Sequence, residues 1–162
     1  MLDFLVVEPY LPPAHTVEEQ CIRAAAEDMK LDYFILKAIR EQESGVSGRT
    51  NLNNNGTYDH GEFQINTVTI QDFKEFGITL EDVTNDTCLN VYTGALHLWR
   101  KIKETGDVWR GVAWYHNKRN VFGTPYAKKV FKRYKRLLSK FEKDVALDDF
   151  ETQRDNFKTA GR

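Results

Sequence analysis

The stretch NNNGTYDHGEFQIN, residues 53–66, constrains the fold more than any other segment. It has no helical period, while the segments on both sides carry apolar residues at helical spacing. Asn55-Gly56 is a tight-turn pair, because both residue types accept positive φ. The alternation Glu62-Phe63-Gln64-Ile65 predicts a short strand, so a small hairpin is expected within residues 46–66. The expected class is therefore mainly α, with a small β-hairpin and loop region between helices.

The flanking helices can be placed from their ends. Thr16-Val-Glu-Glu19 is a capping box, and its helix runs to about Met29. Leu31 or Asp32 opens a second helix with Phe34, Ile35, Ala38 and Ile39 on one face; it runs through Glu41, Gln42, Glu43 and Ser44, and Gly45 ends it. Further helices are expected at 68–76, 90–104, 108–115 (capped by Asp107) and 125–141. Residues 1–15 hold three of the four prolines and read as an extended segment. Residues 16–141 read as the domain, and 142–162 as a charged tail that is either a frayed helix or disordered.

Composition narrows the class. A chain of 162 residues with 41% apolar and 29% charged residues fits one globular domain with a real core. A net charge of −1 and a pI near 6.4 carry no basic signature, so no nucleic-acid partner is expected. No apolar run approaches the roughly 20 residues of a membrane span. The opening MLDFLVVEPYLPPAH lacks a basic n-region and a small-residue cleavage site, so the chain either stays in the cytosol or begins after a removed leader. Cys21 and Cys88 leave two readings open: buried thiols acting as small hydrophobes, which composition favours, or one bridge closing a long loop.

Few residues stand out as chemically placed. Glu43 lies in the last turn of an apolar helix, where the dipole disfavours negative charge and any burial raises the pKa. A raised carboxyl suits a general acid; the plainer reading is a solvent-facing residue like Glu41. Asn53, Asn55, Gln64 and Asn66 could present donors and acceptors to a polyhydroxylated ligand, or serve local turn geometry, with Asp59 a turn residue. His60 and His116 read as surface or supporting residues, and Trp99, Trp109 and Trp114 as core. The basic run at 126–136 reads as the solvated face of a packing helix. No His/Cys cluster has metal-ligand spacing, so no metal is expected.

The order of motifs adds a further reading. AIREQESG (38–45), followed by NGTYDHGEFQIN (55–66), resembles the lysozyme-like superfamily, and most of all the small lytic transglycosylases of secretion, pilus and conjugation machineries. Their pattern is approximately A-I-x-x-x-E-S-G, then N-x-N-G-S/T-x-D-x-G-x-x-Q-I-N. Ala38, Ile39, Glu43, Ser44 and Gly45 match the first block, and Asn53, Asn55, Gly56, Thr57, Asp59, Gly61, Gln64, Ile65 and Asn66 the second. Gly77-Ile78, NDTCLNVYTGALHL (85–98), WRGVAWYHN (109–117), Tyr126 and Val130 continue it, so the resemblance covers roughly residues 20–135. Two segments depart. Glu62-Phe63 stand where the family has Leu-Met, placing an extra acid beside the cleft. Tyr115-His116-Asn117-Lys118 replaces Tyr-Asn-Ala-Gly, leaving the family's Asn position unassigned.

The resemblance implies a lysozyme-like fold and a peptidoglycan lytic transglycosylase. Glu43 would protonate the glycosidic oxygen, then act as base on the muramyl 6-hydroxyl, giving a 1,6-anhydro product without water. Ser44, Gln64 and Tyr115 would orient Glu43 and the muramyl unit; Asn55, Asn66 and Tyr126 would join them in binding substrate. Asp59 would lend electrostatic support; in the alternative reaction, a retaining muramidase, it would be the second carboxylate. A non-catalytic glycan-binding adaptor is the third reading. The family also implies a Cys21–Cys88 bridge and hence an oxidising compartment. The expected location is the periplasm, for a mature form without its leader, with a phage-encoded enzyme as the alternative. No cofactor is expected. The expected partners are peptidoglycan glycan strands and proteins of a secretion or conjugation apparatus, and the chain is expected to be a monomer.

Overall fold

The computed structural model describes residues 11–160. Helix α1, Val17–Met29, starts at the Thr16–Glu19 capping box, with both reciprocal bonds formed. Helix α2, Tyr33–Glu43, is capped by Asp32, whose carboxylate accepts from the amides of Phe34 and Ile35 at 2.7 and 3.2 Å. A three-stranded antiparallel sheet follows, with β1 at Thr50–Leu52, β2 at Tyr58–His60 and β3 at Ile65–Asn66. Next come a 3-10 segment, Thr69–Phe76, then α3 Leu80–Asn85, α4 Thr87–Thr105, α5 Val108–His116 and α6 Asn120–Ala160. The chain is mainly α with one small sheet, and the NNNGTYDHGEFQIN stretch supplies two of its three strands.

Several expectations need correction. Of the strand expected at 62–65 only Ile65 lies in a strand, β3; 62–64 are a turn, because Gly61 and Gln64 both take positive φ (63° and 50°) and reverse the chain between β2 and β3. The segment at 68–76 is 3-10 rather than α, and α3 carried no recognised sequence signal. Gly45 does not end α2; Ser44 takes the left-handed cap (φ 53°). Gly45 is required for a different reason: a Cβ there would collide with the Gly61 carbonyl. Residues 142–160 of the expected tail are helical, as the last part of α6, which runs unbroken to Ala160. Of the expected extended segment 1–15, residues 1–10 lie outside the described residues; 11–15 form no regular element.

Helix α4 is the central post. It packs on α1, α3, α5 and β3, while α6 packs on α2 and α5. Ile22, Leu36, Ile39, Phe63, Val91, Leu98, Val112 and Val130 are fully buried between them. Apolar side chains removed from water to this extent each contribute roughly 1.5–3 kcal/mol. Gly94 lets the Phe63 ring lie on α4, where any Cβ would meet it. Buried Asn90 then ties the β2–β3 turn to α4. Its side chain accepts from the Phe63 amide (2.8 Å) and donates to the carbonyls of His60 (2.8 Å) and Val83 (2.7 Å). Cys21 and Cys88 form a disulfide joining α1 to α4. Closing a loop of 67 residues stabilises by about 4 kcal/mol through the unfolded chain.

Candidate active site

The end of α2 faces α6, and there Glu43 is half-buried. The hydroxyl of Tyr126 on α6 donates to Glu43 Oε1. Burial is the main cause that lifts the Glu43 carboxyl from 4.5 to about 7; the Tyr126 bond pulls it down, and the negative charge of Asp59 pushes it up. The carboxyl thus titrates near neutrality, and its protonated form is well populated there. The helix-end dipole invoked from sequence acts in the same direction, but desolvation dominates.

Three rings back this carboxyl. Tyr126 stacks on Tyr115 with centroids 6.3 Å apart, and His116 lies over Tyr126 at 4.7 Å and 5°. Tyr115 donates its hydroxyl to the Phe63 carbonyl at 3.0 Å. Burial holds both tyrosines well above their usual pKa, so they remain donors. Beneath them His97 packs edge-on against Tyr115 at 4.9 Å, and its Nε2 meets the Tyr115 carbonyl at 3.2 Å. Burial drives the His97 pKa to about 4, so the ring is neutral.

Asp59 projects from β2, and both its oxygens are held. Asn66 donates to Oδ1 at 2.7 Å and Asn53 to Oδ2 at 2.9 Å. Both amides also reach the Thr57 hydroxyl, which itself donates to Asn55 Oδ1 at 2.8 Å. The carboxylate is therefore clamped by side-chain amides, not by the backbone amides of a turn. Its charge is felt at Glu43, Tyr115 and His116, which places it on the same cleft.

The other candidates are spent locally. Asn55 also accepts from the Thr57 amide, completing the turn. Gln64 donates to the Gly61 carbonyl (2.8 Å) and accepts from Asn51 (2.7 Å). Ser44 donates to the Glu41 carbonyl at 2.7 Å. Among the described residues Glu43 accepts a hydrogen bond from Tyr126, a pairing the sequence did not suggest. Asn53 and Asn66 matched the motif, but their clamp on Asp59 was missed, as was the Thr57 hydroxyl that accepts from both amides; pairing across a two-strand turn gives no one-dimensional signal.

The structure also places the remaining candidates. Glu62 turns inward, 2% exposed, and accepts from Thr87 at 2.6 Å. It lines an open pocket of about 390 Å³ with Glu18, Arg40, Ser47 and Thr87, which includes neither Glu43 nor Asp59. His60 is buried and bonded to Thr84 at 2.8 Å. The tryptophans are half-buried, with Lys103 over Trp99, Lys118 over Trp114, and Trp109 against Phe131 and Tyr134. The basic face of α6 is not wholly solvated: Arg133 donates to Gln42 (3.1 Å), and Arg136 pairs with Glu41.

No group of three or more His, Cys, Asp or Glu residues poised for a metal occurs among the described residues. No described helix is long and apolar enough to cross a membrane.

A mainly helical domain with a small polar sheet and a desolvated helix-end carboxyl is the arrangement that a lysozyme-like resemblance implies. The comparisons name the family. Residues 20–137 match the transglycosylase SLT domain, and the chain belongs to that family. It is 30% identical to invasion protein IagB of Salmonella typhimurium over 139 residues, 83% of this chain and 87% of that protein. It is 31% identical to protein IpgF of Shigella flexneri over 128 residues, 76% of this chain and 84% of the relative. An Escherichia coli X polypeptide is 30% identical over 121 residues, 70% of this chain and 72% of its own length. The protein is a peptidoglycan lytic transglycosylase, a lyase rather than a hydrolase.

Proposed function

We propose that Glu43 alone supplies both proton transfers of the lytic reaction. The observation that carries this is the desolvated Glu43 carboxyl, raised to about 7 and held by Tyr126. The protonated carboxyl gives its proton to the glycosidic oxygen between N-acetylmuramic acid and N-acetylglucosamine as that bond breaks. The resulting carboxylate takes the proton of the muramyl 6-hydroxyl, whose oxygen bonds to the anomeric carbon. One proton leaves Glu43 and one returns, no water is consumed, and the glycan ends in a 1,6-anhydro ring. A group titrating near the working pH suits both halves of this exchange.

Asp59 acts through its field. Clamped by Asn53 and Asn66, it opposes ionisation of Glu43 and favours the positive charge that develops at the anomeric carbon. Ser44, Asn55, Gln64 and Asn66 shape the sheet side of the glycan cleft, Tyr115 its floor, and Tyr126 fixes the acid. The Cys21–Cys88 bond fits an oxidising compartment, the periplasm. The likeness to an invasion protein of Salmonella is in keeping with the role expected from the resemblance, opening the wall locally for a secretion or conjugation apparatus.

The test is mass spectrometry of fragments released from intact peptidoglycan by wild type and Glu43→Gln. Wild type is expected to give anhydro-muramyl ends, one water lighter than reducing ends, and the variant no fragments. Reducing ends would overturn the mechanism and make Asp59 a partner in hydrolysis.

A further inference from the structure

The pocket of about 390 Å³ bordered by Gly45, Val46 and Ser47 contains neither Glu43 nor Asp59. It is lined by Glu62, the acid that stands where the related pattern has Leu. Glu62 is 2% exposed, yet only one of its carboxylate oxygens is bonded. Oε1 accepts from the Thr87 hydroxyl at 2.6 Å, whereas Oε2 is buried and has no hydrogen-bond partner among the described residues.

The donors that line the pocket are engaged elsewhere. The one hydroxyl proton of Thr87 goes to Oε1, so Ser47, 3.2 Å away, donates to Thr87. Arg40 gives Nε and Nη2 to Glu18, both at 2.8 Å. A buried carboxylate oxygen without a donor is unfavourable until a ligand brings one.

Charge and coordination narrow the ligand. Glu18 and Glu62 face one guanidinium, so the lining leaves a negative charge uncompensated and disfavours an anion. A calcium ion takes roughly six to eight oxygens, and here one free carboxylate oxygen shares the pocket with Arg40. No group of three or more metal-holding side chains occurs among the described residues. A primary ammonium meets both conditions: it is a compact single charge, and its N–H groups can bond Oε2 and the hydroxyl oxygens of Ser47 and Thr87.

We propose that this pocket is a subsite for the free side-chain ammonium of the substrate's stem peptide, with Glu62 as its counter-ion. This deepens the lytic transglycosylase reading and rests on it. Two walls of the pocket are chain that leads out of the active site: Gly45–Ser47 directly follow Glu43 and Ser44, and Glu62 lies between Asp59 and Gln64. The stem peptide begins on muramic acid, and its third residue is a diamino acid whose side-chain amine is free wherever strands are not cross-linked. Three extended residues span about 10 Å. Glu62 thereby directs the enzyme to uncross-linked strands.

The test uses the full chain in a Glu43→Gln background, where nothing turns over. Its probes are the disaccharide-tripeptide of peptidoglycan, the same molecule with its side-chain amine acetylated, and the disaccharide alone. The free-amine probe is expected to bind about tenfold tighter than the acetylated one. Glu62→Gln keeps an oxygen for Thr87 and removes the charge; it is expected to erase that preference and leave disaccharide affinity within about twofold. Equal affinity for the free and acetylated probes in the Glu62 protein overturns the proposal, and so does a preference that survives Glu62→Gln. Should Glu62→Gln fail to fold, the carbon-13 signal of the Glu62 carboxyl decides: it is expected to move with the free stem tripeptide and not with its acetylated form, and a signal that stays in place overturns the proposal. Calcium chloride displacing the tripeptide from Glu62 would make this a metal site. A lysine-centred tripeptide of L-residues binding as well as the stem tripeptide would make it a site for a protein partner. Either result overturns the assignment. Failure of the lytic reading is distinguishable: wild type would release no anhydro ends, while the sugar-free tripeptide would still report on Glu62.

Discussion

The Tyr126 hydroxyl donates to Glu43 Oε1 across the α2–α6 interface. The bond joins residues far apart in the chain and favours the ionised carboxyl against the burial that opposes it. Tyr126→Phe should therefore raise the Glu43 pKa further and let the side chain wander. The expected result is a kcat lowered about tenfold and a basic limb of the pH–rate profile displaced upward by about one unit. A pH–rate series on the variant checks both.

Asp59→Asn separates the two roles open to this carboxylate. Asparagine removes the charge and keeps one oxygen, so one of the two amides that clamp Asp59 loses its acceptor. Because that charge raises the Glu43 pKa, the basic limb should move down. Activity should fall roughly ten- to hundredfold, on the scale of one electrostatic stabiliser, with anhydro ends retained. Complete loss would mark Asp59 as a nucleophile.

Glu43 also makes stability depend on pH. Its carboxyl titrates at 4.5 when unfolded and at about 7 when folded. Between these values the folded state binds more protons, so this contribution is present below pH 4.5 and is lost as pH rises to about 7. Glu43→Gln should be more stable than wild type at pH 8, by at most about 3 kcal/mol, with the difference shrinking toward pH 5. His97 works in the opposite sense: its pKa falls from 6.5 to about 4, so its contribution is lost as pH falls below 6.5. Denaturant unfolding of wild type and Glu43→Gln at several pH values isolates the Glu43 share.

Asn90→Ala should be among the most destabilising single changes. It orphans the Phe63 amide and the carbonyls of His60 and Val83 around a fully buried position. The expected loss is about 3 kcal/mol, read by denaturant unfolding, with the β2–β3 turn loosened and activity reduced in parallel.

The helices were legible because their signals are local. Thr16–Glu19, Asp32 and Asp107 cap the helices they were expected to cap or open. Glu43 was legible from its helix-end position together with the motif around it. The partners of the site residues were not. Tyr126 reaches Glu43, Asn90 reaches Phe63 and His97 reaches Tyr115 through tertiary packing that spacing does not encode. Glu62-Phe63-Gln64-Ile65 misled because alternation at a turn imitates a strand, and left-handed Gln64 is not foreseeable from a residue type that rarely adopts that conformation. The length of α6 was missed because a helix with little apolar face beyond Phe141 lacks the period that marks the rest.

The central claim is that one desolvated carboxyl is protonated near neutral pH and serves as acid and then base. The most direct measurement is a carbon-13 NMR titration of the Glu43 side-chain carboxyl in the free protein. The account predicts a midpoint near 7 that falls in Asp59→Asn. A midpoint near the ordinary 4.5 would contradict it, because Glu43 would then hold no proton to give.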